Sequence, residues 1–180
     1  MNRGLPMLVL GCLTELSICA PVSAGYFGHG VVAINGSILD TACAISIDSQ
    51  NQTIEMAAVP MSNIERDGVG PEQLFTIQLI NCTLTPVTLG RPDWSHFQMT
   101  FTGATANDGE LFSVVGDAQG LGLSIVDNWG NRVIPGQPMV AQPLHAGNIR
   151  LNYRLRLEAN HQHLKPGDYQ SVIRFNMDYY

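Results

Sequence analysis

The stretch GDYQSVIRFNMDYY, residues 167–180, decides the fold. Read with a period of two, it places Tyr169, Ser171, Ile173, Phe175, Met177 and Tyr179 on one face. Asp168, Gln170, Val172, Arg174, Asn176 and Asp178 fall on the other. Such alternation is the pattern of a β-strand with one apolar face. Pro166-Gly167 is a turn signal that opens the strand. An apolar strand left at a sheet edge is a template for pairing with another chain, so this one needs a cover.

Working outward, NIRLNYRLRLEAN (148–160) repeats the pattern, with Ile149, Leu151, Tyr153, Leu155 and Leu157 against Arg150, Asn152, Arg154 and Arg156. LGLSIVD (121–127), HFQMTFTG (96–103) and LFTIQLINC (74–82) do the same around Leu123, Met99 and Ile77. SILDTACAISID (37–48) and QTIEMAAV (52–59) predict a first strand through Cys43 that continues near Ile54 and Met56. Pro60, Gly68, Gly70 and Pro71 mark residues 60–73 as a loop. Asn128-Trp129-Gly130-Asn131 is a turn, and Pro135, Gly136, Pro138 and Pro143 mark another connection. No segment has a helical period of any length. Six strands between Gly, Pro and Asn turns indicate an antiparallel β-sandwich. A constant-type immunoglobulin sandwich has about seven strands.

The left-over segment is GYFGHGVVAING (25–36). Tyr26, Gly28, Gly30, Val32 and Ile34 alternate with Phe27, His29, Val31 and Ala33, so it can extend, yet its glycines leave it poor at holding a strand alone. A floppy terminus is the bland reading, and its apolar character argues against that. Before it, Arg3, the apolar run from Leu5 to Leu13 and Val22-Ser23-Ala24 form a secretory signal with cleavage before Gly25. Glu15 is an awkward neighbour for that run, and a lipoprotein reading of Leu16-Ser17-Ile18-Cys19 meets a bulky Ile18 where a small residue belongs. Cleavage removes Cys12 and Cys19 and leaves Cys43 and Cys82. In an oxidising compartment such a pair is most simply a disulfide, with two separate buried thiols as the alternative. A loop of that length adds about 4 kcal/mol on the chain-entropy account.

Bulk composition narrows the function. The chain has 180 residues, 45% of them apolar, with a formal net charge of -6, eight arginines and one lysine. Clustered positive charge is what nucleic acid requires, so nucleic acid is excluded as a partner. His161-Gln162-His163 has no nearby Cys, Asp or Glu to complete a metal set, and an exposed loop accounts for it. No nucleophile elbow or phosphate-cradling loop is present, so no catalytic residue, cofactor or metal is expected and the protein is read as a non-enzyme. Trp94 and Trp129 lie near turns, where an aromatic plane could stack on a sugar. A secreted or periplasmic β-sandwich carbohydrate-binding module is therefore the alternative function, against the simpler reading that each tryptophan caps an end of the sandwich. The 156 residues left after cleavage make one domain.

Taken together, these features resemble the pilin (fimbrial) subunits of the chaperone-usher family. The resemblance is carried by Asn35-Gly36 followed by a strand into Cys43, by Cys82 ending a later strand, by Gly167 fourteenth from the end and by Tyr179 penultimate. GPEQLFTIQLINC and the MDYY ending are similar to minor or terminator-type subunits of P-like pili. The resemblance implies an all-β, incomplete immunoglobulin-like sandwich lacking its last strand, with one disulfide. It implies a signal peptide over 1–24, a donor-strand extension over 25–36 and a pilin domain over 37–180. Tyr26, Gly28, Gly30, Val32 and Ile34 would be the donor strand. Gly167, Tyr169, Ile173, Phe175, Met177 and Tyr179 would form the C-terminal strand and its acceptor groove. The implied partners are a periplasmic pilus chaperone, whose basic residues anchor the Tyr180 carboxylate, an outer-membrane usher and neighbouring pilin subunits. The implied location is a cell-surface fimbrium, reached through the periplasm, that contributes to attachment.

Overall fold

The computed structural model describes residues 30–106 and 109–180. The expected signal segment and residues Tyr26 and Gly28 lie outside the described residues. The chain divides between Ser37 and Ile38, and residues 38–180 form the folded body.

In chain order the strands are β1 (Ala44–Ile45), β2 (Val69–Cys82), β3 (His96–Gly103), β4 (Phe112–Ser113), β5 (Val115–Gly116), β6 (Leu121–Asp127), β7 (Gln142–Pro143), β8 (Gly147–Ala159), β9 (Tyr169–Gln170) and β10 (Ile173–Tyr179). One sheet runs β1-β2-β8-β6-β4, a smaller one β10-β3-β7, and β5 pairs with β9. Every pairing is antiparallel.

The two larger sheets close on each other because their alternate residues are apolar. Ile77 and Leu79 of β2, Leu151, Tyr153, Leu155 and Leu157 of β8, Leu123 and Ile125 of β6 and Phe97, Met99 and Phe101 of β3 are all buried. Each such side chain contributes roughly 1.5 to 3 kcal/mol on burial. Tyr153 spans the interior, stacked on Phe75 at 5.3 Å and edge-on to Phe101 at 5.1 Å. Cys43 and Cys82 form a disulfide that ties the approach to β1 to the end of β2. This is an immunoglobulin-like β-sandwich.

Three local expectations give way. Residues 60–73 are no loop: Met61–Asp67 form a helix, and β2 starts already at Val69. Pro60 stands at the helix N-cap and Gly68 closes it at φ 74, donating its N–H to the Ile64 carbonyl. These residues read as loop signals although Pro before and Gly after are also the marks of a short helix. The first strand shrinks to Ala44–Ile45, because Ile47–Gln50 turn into a four-residue helix and residues 52–59 pair with no strand. Cys43 consequently precedes the strand rather than lying in it. Finally, the C-terminal stretch is two strands, not one. Ser171 and Val172 separate β9 from β10, and there the chain changes partner from β5 to β3.

Candidate functional site: an open strand edge

The sequence places apolar residues at every second position of β10, and the structure leaves them half covered. Tyr169, Ile173, Phe175, Met177 and Tyr179 are of intermediate burial, while Arg174, Asn176 and Asp178 are exposed. Their counterparts across the ladder, Phe97, Met99 and Phe101, are fully buried. The apolar side chains of β10 pack on the core from one side only.

The backbone tells the same story. β10 pairs with β3 from Ile173↔Gly103 to Tyr179↔Phe97 and stands at the edge of its sheet. Tyr180 and His96 exchange both hydrogen bonds, at 2.9 and 3.1 Å. Antiparallel pairs alternate between bonded and non-bonded, so Asp178, Asn176 and Arg174 also bond toward β3. The N–H and C=O groups of Ile173, Phe175, Met177 and Tyr179 must then point away from it. On the far side of β3 the alternation agrees, since Met139 and Gly136 donate to the carbonyls of Met99 and Phe101. Among the described residues no hydrogen bond reaches the outward groups of β10.

At the Ile173 end of this edge lies a cavity of about 900 Å³. Residues 52–59 form one wall and residues 164–173 the other, with Leu121, Leu123, Leu155 and Leu157 as the floor. Sequence reading missed these four leucines as site residues, because an inward apolar residue looks the same whether it floors a groove or fills a core. Gly167 stands where the second wall crosses residues 117–118. A Cβ there would come within 2.6 Å of Asp117 Cβ and 2.8 Å of the Ala118 N–H nitrogen. Asp117 and Ala118 both donate to the Asp168 carbonyl, at 2.9 and 3.1 Å, and hold the crossing closed.

At the opposite end of the edge, the Tyr180 carbonyl oxygen accepts from the N–H groups of Ser95 and His96. The Tyr179 ring meets Trp94 edge-on at 6.2 Å, and Arg91 covers the Trp94 ring at 5.1 Å. Burial pushes the hydroxyl pKa values of Tyr169 and Tyr179 up, with a bond to Thr41 partly offsetting this at Tyr179. Trp94 thus packs at one end of the sandwich, whereas Trp129 is 71% exposed. The Asp127 carboxylate organises the Trp129 turn, accepting from the N–H groups of Trp129 and Asn131 and from the Asn131 amide, while the Gly130 N–H bonds to the Asp127 carbonyl.

Of the arm, Gly30, Val32 and Ile34 are described; all are exposed and belong to no strand. His161 and His163 are exposed, and among the described residues no group of three His, Cys, Asp or Glu is placed to hold a metal ion. No helix among the described residues is long and apolar enough to cross a membrane.

The chain is similar to known proteins in sequence and in fold. A family model described as fimbrial protein matches residues 32–180. The PAP fimbrial minor pilin protein of Escherichia coli is 31% identical over 150 residues, covering 83% of this chain and 77% of that one. The major MR/P fimbria protein of Proteus mirabilis is 31% identical, covering 84% and 85%. Among solved structures, the P pilus rod subunit PapA superposes with a TM-score of 0.70 at 25% identity, over 78% of this chain and all of that one. A subunit from a chaperone-usher pilus gives 0.67 at 26% identity, over 86% and 97%. With the family model spanning most of the chain and the sandwich open along its last strand, the protein belongs to the fimbrial family and is a pilin of the chaperone-usher class.

Proposed function

We propose that this chain is a structural subunit of a surface fimbria, built in by accepting a strand from one partner and donating a strand to another. The observation that carries this is the edge of β10, where half-buried apolar side chains coincide with backbone groups directed outward. Strand addition to a sheet edge takes its affinity from main-chain bonds and its specificity from alternate side-chain pockets; chaperone-pilin complementation is a known case. In this reading residues 1–24 are a signal peptide for export to the periplasm, 25–36 the donor arm and 37–180 the pilin domain. A periplasmic chaperone first supplies the missing strand, with its basic residues on the Tyr180 carboxylate, and an outer-membrane usher then exchanges it for a neighbouring subunit's arm.

The arm suits the groove chemically. Tyr26, Gly28, Gly30, Val32 and Ile34 alternate along one face, and seating Val32 and Ile34 would contribute roughly 1.5 to 3 kcal/mol each. Each ladder bond adds about 1 kcal/mol. A glycine, Gly28 or Gly30, lets the arm backbone approach where a side chain would collide. The acceptor positions are Gly167, Tyr169 and Ile173, which line the cavity between residues 52–59 and 164–173, and Phe175, Met177 and Tyr179, which continue along the open edge beyond it.

The test is refolding of the full chain with and without a synthetic peptide of residues 25–36. The expected result is aggregation alone and a soluble, cooperatively unfolding subunit with the peptide. A stable monomer that needs no donor would overturn the reading.

A further inference from the structure

The folded body carries an apolar patch that neither the core nor the groove uses. Ile38, Leu39, Val87 and Leu89 are each at least 74% exposed. Asp40 gathers them, because its carboxylate accepts hydrogen bonds from the N–H groups of Val87 and Thr88 at 3.2 and 3.1 Å and from the Thr88 hydroxyl at 2.7 Å. Single exposed apolar residues are ordinary, whereas four on two segments that Asp40 pins together offer an interaction surface.

The patch begins at the first residue of the body. Only three residues separate Ile34, the last apolar position of the arm, from Ile38, a reach of about 13 Å over the four steps of extended chain. An arm seated in another subunit's groove therefore brings this patch against that subunit's body. The sheets are antiparallel throughout, and a strand added antiparallel to β10 would leave the groove at its Ile173 end. Exposed there are Val115 (62%) and Val172 (73%). The Val115↔Gln170 pairing and the bond from the Ser171 hydroxyl to the Ser113 carbonyl at 2.8 Å hold their segments together.

We propose that Ile38, Leu39, Val87 and Leu89 form a second, body-to-body interface, docking on the Val115 and Val172 end of a second copy of this chain whose groove holds the arm. The inference rests on the donor-strand reading above and extends it. Because the two faces differ, the contact is head-to-tail and repeats along a fibre rather than closing a dimer. The arm supplies the anchorage and the patch limits how the two bodies swing about the short linker.

The experiment compares two donors, each present while an immobilised full-length acceptor is refolded and then washed away to follow dissociation: the 25–36 peptide, and the full-length subunit with its own groove already filled by that peptide. The full-length donor should dissociate at least about tenfold more slowly than the peptide, the equivalent of burying a few exposed aliphatic side chains. The double variant Val87→Asp/Leu89→Asp should fall back to the peptide's rate, as should Val115→Asp in the acceptor, which lies outside the cavity lining. Because all three positions are exposed, folding should survive, and Val87→Ser/Leu89→Ser provides a milder pair with the same expected direction. A variant donor that keeps the full-length rate overturns this inference alone. An acceptor that refuses the peptide overturns the groove reading and the inference with it.

Discussion

The ring of Phe175 lies 6.1 Å from that of Phe101, tilted by 48°. Phe101 in turn meets Tyr153 edge-on, so the open edge strand is coupled to the centre of the sandwich through two aromatic contacts. Phe175 is thus a core contact and, in the donor-strand reading, a wall of the acceptor groove. On that reading, filling the groove would stabilise the interior as well as the edge.

That double role makes Phe175 the sharpest probe of the site. Phe175→Asp places a carboxylate where a donor side chain would be desolvated, at a cost of several kcal/mol unless it is paired. Uptake of the arm peptide should be lost, with binding weakened by about a hundredfold or more. Phe175→Leu keeps an apolar wall and should retain uptake with a loss of about 1 kcal/mol. Refolding each variant against a graded series of peptide concentrations and measuring the soluble yield distinguishes the two, and equal rescue of both variants would count against the groove.

The backbone alternation along β10 predicts a pattern of amide exchange. Asn176 and Asp178 direct their N–H groups at β3, whereas Phe175 and Met177 direct theirs outward. With the groove occupied, all four amides should be protected. When the donor is released, Phe175 and Met177 should lose protection first, by about tenfold or more relative to Asn176. Residue-resolved hydrogen exchange reads this directly, and uniform loss along the strand would contradict the assigned edge.

Much of this arrangement was legible in the sequence because a period of two has one physical meaning: one face in, one face out. β8 and β10 follow their alternation closely, whereas β6 is covered on both faces, with Ser124 as buried as Leu123 and Ile125. Half burial was not legible, since Phe175 and Phe101 look alike in sequence while only Phe101 is covered from both sides. The Met61–Asp67 helix was hidden because only Ile64 of its seven residues is buried, too little for a helical stripe to appear. Residues 52–59 alternate like a strand, yet they line the cavity without a ladder, and only tertiary pairing separates those outcomes. Gly70 and Pro71 suggested a loop, but the register shift between Val69 and Glu72 absorbs them into β2, as a bulge can.

The Cys43–Cys82 disulfide closes a segment of 39 residues that includes the cavity wall 52–59. Residues 52–59 join no sheet, so the bridge limits how far this wall can wander in the unfolded chain. Removing it should cost about 4 kcal/mol. Urea unfolding of the peptide-complemented subunit, wild type against Cys43→Ser/Cys82→Ser, measures this. A midpoint unchanged within error would mean that the bridge contributes nothing to stability.

The outer face of the larger sheet supplies a pH dependence of its own. Glu158 is buried and accepts from the Ser124 hydroxyl at 2.6 Å, Arg132 at 2.6 Å and Arg156 at 2.8 Å. Burial alone would push its carboxyl pKa up, but the three hydrogen bonds and the Arg132 charge outweigh burial and hold it below the ordinary value of 4.5. A carboxylate with a depressed folded-state pKa stabilises the fold fully above its unfolded value, and that contribution is lost as pH falls through the folded one. Stability of the peptide-complemented subunit should therefore hold from neutral pH down to about 4.5 as far as Glu158 is concerned, then decline. Glu158→Gln should cost about 1.5 to 3 kcal/mol at pH 7, the worth of hydrogen bonds to a charged group, because its amide cannot accept from both arginines. The gap between wild type and variant should narrow below pH 4.5 as the wild-type carboxyl takes up its proton. Parallel unfolding curves for the two proteins from pH 7 to pH 3 test the assignment. A gap that stays constant across that range would show that the Glu158 charge does not stabilise the sheet.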